Sequence, residues 1–263
     1  MNDSLIELNP FDYSPETHLI AKLRRRFVQH TTVAPLGRLD ASVITFSFDD
    51  FPVSAADNGA DILDAIHAKA IYYACSGLAG KTNRTGKQYD DEHIAKLVSA
   101  GHEIGAHTHF HIDCAIRPVN DVIADIERNL MELDNMGARD PIDHFAYPYG
   151  ETSVKLKYTL AKKFHTARGI LPGNNAERAD RMQLRSMELN PDPMTVERAL
   201  GAIEKAQYEP CWLNIFTHDV RDTPSDYGIT PKALQRVARA ARDSALPILP
   251  PSKAMAYWKG IKS

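Results

Sequence analysis

The stretch Val43–Pro52, VITFSFDDFP, constrains this chain more than any other. β-Branched and aromatic residues run unbroken and stop at two adjacent carboxylates, the pattern of a buried strand whose last residues emerge at the open end of a sheet or barrel. Ligands and catalytic groups gather at such ends in α/β folds. Neighbouring side chains on an extended chain point apart, so one of Asp49 and Asp50 can serve a metal while the other serves a proton. The same pair can also cap a turn ahead of Pro52, and its meaning depends on what the rest of the chain brings to it.

From Val43 onward the pattern alternates. Helix is predicted over Ala60–Lys69, strand over Ala70–Cys75, a polar glycine-containing loop through Gly86, and helix over Asp90–Ala100, stopped by Gly101. A short strand Glu103–Ala106 runs into a histidine cluster, followed by a long helix Val119–Met136. Strand His144–Tyr147, helix Val154–Lys163 and a weaker strand around Thr166–Ala167 come next. Strand Leu184–Leu189, helix Val196–Tyr208, the apolar strand Trp212–Thr217, helix Pro231–Ser244 and a short strand from Pro247 complete the chain. Strands alternating with helices predict a parallel sheet or barrel. With 263 residues and no dividing linker, the expectation is one α/β domain over 41–263 behind an N-terminal extension, 1–40.

That extension carries a basic amphipathic helix starting near Ser14-Pro15-Glu16, with Leu19, Ile20, Leu23 and Phe27 on one face among Lys22, Arg24, Arg25 and Arg26. Such a helix lies on a membrane surface, contacts a partner such as a second copy, or, most often, packs on its own domain with its arginine stems over apolar surface. A net charge of −3 gives no general argument for nucleic acid. Three widely spaced cysteines, Cys75, Cys114 and Cys211, fit a reducing compartment. The first residues are acidic and lack the apolar core of a secretory signal, so the expected location is cytoplasmic, with peripheral contact at the inner membrane or a homodimer contact as roles for the helix.

Gly101–His111, GHEIGAHTHFH, holds four of the eleven histidines. The zinc-protease pattern His-Glu-x-x-His fails, because Ala106 stands where its second histidine would be. In a helical turn His107 and His111 share a face with His109 opposite; in an extended segment all three share one. Spacing alone leaves the pair open. Histidines at alternate positions beside a strand end, on a chain that already offers Asp50, point to zinc or another divalent transition metal acting on a water. Asp49 is then placed as a general base, and His218, closing the strand Leu213–Thr217, as a general acid for a leaving amine.

Together these segments resemble the polysaccharide deacetylases of the NodB-homology type, carbohydrate esterase family 4. Thr45–Asp50 is similar to the family's first motif and His107–His111 to its second, implying Asp49 as base and Asp50, His107 and His111 as metal ligands. Phe145–Gly150 resembles the third, implying that Tyr147, Pro148 and Tyr149 line the substrate groove and that Tyr149 offers a backbone N–H to the oxyanion. Leu213–His218 resembles the last, implying Leu213 in the acetate pocket and His218 as acid. The resemblance covers about Val43–Leu249 and implies a distorted (β/α)7 barrel.

Where many members of that family carry an arginine in the third motif, paired with the base, this chain has Ala146. Arg185 is the first candidate to replace it and Arg168 the second. The activity implied is metal-dependent N-deacetylation of an amino sugar, N-acetylglucosamine in an exopolysaccharide or its lipid-linked precursor. Two rivals are a deformylase or amidohydrolase acting on another amino sugar or a small cyclic amide, and a catalytically dead carbohydrate-binding protein. Retention of a base and an acid together argues against the last.

Overall fold

Seven parallel strands set the position of everything else. In the computed structural model, residues 16–138 and 140–261 are described; Ser14 and Pro15, at the expected start of the first helix, lie outside them. In chain order the elements are α1 (Leu19–His30), β1 (Val43–Asp49), a π-helical turn Ala55–Gly59 leading into α2 (Ala60–Asp64), β2 (Ile71–Ala74), β3 (Thr82–Asn83), β4 (Gly86–Lys87), α3 (Asp91–Ser99) and β5 (Glu103–Ala106). They continue with α4 (Val119–Asn135), β6 (His144–Ala146), α5 (Val154–Leu160), β7 (Thr166–Arg168), β8 (Met187–Glu188), α6 (Pro193–Ala206), β9 (Trp212–Thr217), α7 (Pro231–Asp243) and α8 (Pro251–Ile261).

Strands β3 and β4 form a separate antiparallel hairpin, and the others pair in the order β7-β6-β5-β2-β1-β9-β8 with every neighbour parallel. A single parallel bridge, Arg168 to Leu184, joins the β7 edge to the segment ahead of β8. The chain is therefore one domain, a (β/α)7 barrel distorted at this seam, a parallel barrel as the alternation predicted and of the seven-stranded kind that the resemblance implied. Sequence signals for helix starts are realised: the side chains of Asp90, Ser153, Asp192 and Thr230 accept the first free N–H groups of α3, α5, α6 and α7.

Several boundaries differ. The helix after β1 begins well before Ala60, through the π-helical turn, where Asn58 donates to the Val220 carbonyl at 2.7 Å. The expected strand Leu184–Leu189 shrinks to two residues, because Leu184 pairs back to β7 and the Ser186 hydroxyl donates to the Gly169 carbonyl. Only Ile248 of the expected last strand bridges, to Ile44. Helix α8 was not anticipated.

The period of two along β1 divides the barrel's surfaces. Ile44, Phe46 and Phe48 face outward into a cluster with Leu63, Ile94, Leu213, Ile215, Leu234 and Val237. Burying each such side chain contributes roughly 1.5–3 kcal/mol, so this outer layer holds the helices in place. The inward face of β1 is more polar, with Thr45, Ser47 and Asp49 all buried. Close packing inside shows at Gly105 of β5: a Cβ there would run into the Tyr73 ring on the neighbouring strand.

Helix α1 packs on the domain with the face opposite to the expected one. Ala21 and Val28 are buried, whereas Leu19, Ile20, Leu23 and Phe27 are 58–75% exposed. The reason is a set of fixed contacts on the small-residue side. Lys157, fully buried on α5, donates to the carbonyls of Val28 at 3.0 Å and Thr31 at 2.6 Å and pairs with Asp180 at 2.8 Å. Asp180 in turn accepts the N–H groups of Val33 and Ala34, each at 3.0 Å. Arg25 pairs with Glu151. Replacing Lys157 by Ala breaks a buried pair, and urea denaturation is expected to show a loss of about 3–5 kcal/mol; unchanged stability would show that the helix is held otherwise.

Candidate active site

The site is built at the C-terminal ends of β1, β5, β6, β7 and β9. Asp49 is the last residue of β1 and Asp50 follows in a left-handed turn, φ 51°. That turn redirects the chain, so both carboxylates lie within electrostatic reach of His107 and His218 although their side chains would diverge on a straight strand. Four of the six non-glycine residues with positive φ among those described are found here: Asp50, Thr108, His111 and Tyr149. Such conformations cost about 1–3 kcal/mol each and persist where surrounding structure enforces them. Here Asp125 accepts the N–H groups of His109 and Phe110, and the Thr108 hydroxyl accepts that of Ile112.

Asp50, His107 and His111 converge, all buried, with their donor atoms within 4.8 Å of one another. The Asp50 carboxylate lies 3.8 Å from His107 Nε2 and 3.5 Å from His111 Nε2. Two donors on one tetrahedral ion are about 3.4 Å apart for bonds of 2.0–2.1 Å, so the set fits a divalent metal. His107 Nδ1 lies 2.7 Å from the Ala146 carbonyl; a carbonyl only accepts, so Nδ1 carries the proton and Nε2 presents its lone pair to the site. Burial lowers His107 to about 4, against the pull of Asp50, and lowers His111 to about 3, leaving both rings neutral and able to ligate. Asp50 Oδ1 is buried without a hydrogen-bond partner among the described residues, as expected of an atom meant for an ion. His109 turns away to Ser76 at 2.8 Å and Glu132 at 3.1 Å. The choice that spacing left open thus falls on the outer pair.

Asp49 faces the barrel interior, where it pairs with Arg168 of β7. Burial alone would raise its pKa, but the Arg168 guanidinium, with His107 and His218, holds it below the ordinary value of 3.8. Arg168 lies between two rings, 4.5 Å from the centre of Phe216 and 5.1 Å from that of Tyr73. In the β6–β7 register it stands beside Ala146. The arginine absent from position 146 is thus supplied by the next strand at the same level. Arg185, the first sequence candidate, does not reach: it is exposed and donates to the Pro172 carbonyl at 3.1 Å.

His218 follows β9, and its Nδ1 lies 3.3 Å from the Tyr227 carbonyl, so that nitrogen donates and Nε2 is left for the site. Continuing the β1–β9 register, Phe48 beside Thr217, by one residue sets Asp49 beside His218. Leu213 is a correction. Strand alternation turns it outward with Ile215 into the apolar layer under the helices, and Phe216, two residues before His218, is the inward residue. Tyr147 is another: its ring packs 5.1 Å from Phe145 in a second apolar cluster and its hydroxyl donates to the Met182 carbonyl, so it lines no groove. Pro148 is buried at the start of the turn that presents Tyr149. Tyr149 does border the site, its ring 4.5 Å from that of His111.

Sequence reasoning missed the opposite wall. Tyr227 is 39% exposed with its ring 5.5 Å from His218, and the Arg84 guanidinium lies 6.0 Å from the Tyr227 ring. Nothing in the local sequence marks these loop residues. Phe216 could have been found, since it shares a strand face with His218.

The polysaccharide deacetylase family model matches residues 37–167. Among solved structures, a peptidoglycan N-acetylglucosamine deacetylase, Bc1960, is 17% identical with a TM-score of 0.59, covering 82% of this chain and 89% of that one. A family 4 acetyl xylan esterase from Clostridium thermocellum, bound to a cobalt ion, is 19% identical with a TM-score of 0.59, covering 83% and 92%. The peptidoglycan deacetylase PdaC from Bacillus subtilis is 14% identical with a TM-score of 0.56, covering 85% and 94%. At these identities the likeness is one of fold. No curated protein matches the chain.

The Asp49 carboxyl is expected to titrate below the usual carboxylate range in a carbon-detected NMR titration, and to move upward in Arg168→Met but not in Arg185→Met. Because its folded pKa is depressed, Asp49 contributes stability above the unfolded value near 3.8, and that contribution is lost as pH falls through the folded value. An Asp49 that titrates normally, or that follows Arg185, would contradict the assignment.

Proposed function

We propose, from the premise that the chain carries a polysaccharide deacetylase domain, that it hydrolyses the N-acetyl amide of an amino sugar to acetate and a free amine with the help of a divalent metal. The observation that carries this reading is the division of labour between adjacent carboxylates: Asp50 joins His107 and His111, while Asp49 is held ionised by Arg168 and faces His218.

Asp49 takes a proton from the attacking water, whose oxygen adds to the acyl carbon. The backbone N–H of Tyr149 donates to the oxyanion that forms, and one such donor is typically worth about a hundredfold or more in rate. His218 then donates a proton to the amide nitrogen as the C–N bond breaks, without which an amine leaves poorly. A divalent ion held by Asp50, His107 and His111 would supply Lewis-acid polarisation and lower the pKa of a bound water toward ~7. The Tyr149 and Tyr227 rings flank the mouth and offer faces on which a sugar ring can stack.

The substrate we assign is N-acetylglucosamine within an exopolysaccharide or its lipid-linked precursor, handled in the cytoplasm. The likeness of the fold to that of a peptidoglycan N-acetylglucosamine deacetylase supports the sugar. The three buried cysteines, free of disulfides, support a reducing compartment.

Acetate release from N-acetylglucosamine oligomers by protein loaded with zinc or cobalt tests the reading. Activity is expected to disappear on chelation and to fall by at least a hundredfold in Asp49→Asn and in His218→Ala. Full activity in Asp49→Asn, or no acetate from any acetylated sugar by metal-loaded protein, would overturn it.

A further inference from the structure

We infer that α1 presents a docking surface for an anionic lipid membrane, oriented so that the catalytic mouth meets substrate at the headgroup layer. Four of the eleven large hydrophobic residues exposed among those described fall within nine residues of this helix: Leu19 71%, Ile20 75%, Leu23 58% and Phe27 67%. At 100° per residue they form one stripe, and Lys22 and Arg26, both exposed, border it. A continuous apolar stripe of this kind on a folded protein marks an interaction surface.

The orientation is fixed rather than incidental. The opposite face is occupied by the buried Ala21 and Val28, by the Lys157 bonds to the carbonyls of Val28 and Thr31, and by the Arg25–Glu151 pair. Turning the stripe inward would break all of them.

Charge decides among occupants. Residues 19–30 hold Lys22, Arg24, Arg25 and Arg26 and no acidic residue, in a chain whose net charge is −3. Arg25 is engaged by Glu151, and Arg24 lies 3.7 Å from Glu16; Lys22 and Arg26 remain beside the stripe. A second copy docked face to face would press these cations together. An anionic lipid layer accepts the apolar stripe among its acyl chains and the cations among its headgroups.

Position links the surface to the chemistry. Arg25 holds Glu151, which closes the turn presenting Tyr149, whose ring lies 4.5 Å from His111. Helix α1 therefore neighbours the turn that borders the site, which suits an N-acetylated sugar carried on a lipid; this last step rests on the hydrolytic reading above, whereas docking itself does not.

The test is co-sedimentation of the full chain with vesicles of phosphatidylglycerol and phosphatidylcholine, against phosphatidylcholine alone, with light scattering in parallel. Wild type is expected to partition at least tenfold more strongly onto the anionic vesicles. The double variant Leu23→Asp, Phe27→Asp is expected to lose that binding while keeping its thermal melting and its turnover of soluble acetylated oligomers. Lys22→Glu with Arg26→Glu is expected to abolish the preference for anionic lipid. Absence of wild-type binding, binding equal in the Leu23 and Phe27 variant, or a wild-type dimer that this variant dissociates would overturn the proposal. Vesicle binding is read without substrate, so its failure and a failure of hydrolysis are separate results.

Discussion

The buried pair between Asp49 and Arg168 governs how this barrel is built. Taking two charges out of water costs several kcal/mol per ion even after relaxation, and only close pairing with further contacts offsets it. The barrel supplies those contacts from four strands: Asp49 on β1, Tyr73 on β2, Arg168 on β7 and Phe216 on β9. Arg168 also bridges the backbone across the β7–β8 seam to Leu184 and accepts the Tyr147 N–H on its carbonyl. The residue that keeps Asp49 ionised is thus also where the barrel is least regular. An interior of this kind cannot be the main source of stability. The outward faces of the same strands, packed under the helices, provide that instead.

The neighbouring carboxylate is governed by different forces. Among the described residues Asp50 has no cationic side chain beside it comparable to Arg168, and burial raises its pKa. It faces two imidazoles that are themselves driven neutral by burial. A buried carboxylate and two neutral histidines of this spacing gain most from a divalent cation. One residue of sequence therefore separates a group tuned by an internal arginine from a group that calls for an ion. The left-handed turn at Asp50 keeps both within electrostatic reach of His107 and His218.

Much of this was legible in the sequence. The run Val43–Phe48 ending in two acids and the alternation behind it sufficed for a parallel sheet or barrel with the acids at a strand end, because strand ends are set by local periodicity; the grouping of Asp50 with His107 and His111 came from the resemblance of the motifs, since spacing left the histidine pair open. What was not legible depends on register between strands. That Arg168 rather than Arg185 meets Asp49 follows from Arg168 standing level with Ala146, and no single strand carries that information. Leu213 and Tyr147 were misplaced for a related reason: a motif names residues, but the period of two decides which of them look inward. Helix α1 inverted the expectation from amphipathicity, because Lys157, Asp180 and Glu151, distant in sequence, fix its small-residue side to the domain.

In the proposed mechanism adjacent carboxylates have separate tasks, Asp50 with the metal and Asp49 with the proton. Cobalt(II) absorption spectroscopy tests it most directly. One equivalent of cobalt should give a d–d spectrum that disappears in Asp50→Ala, His107→Ala and His111→Ala, and persists in Asp49→Asn and His109→Ala. A spectrum that survives loss of His111, or that requires Asp49 or His109, would contradict the account.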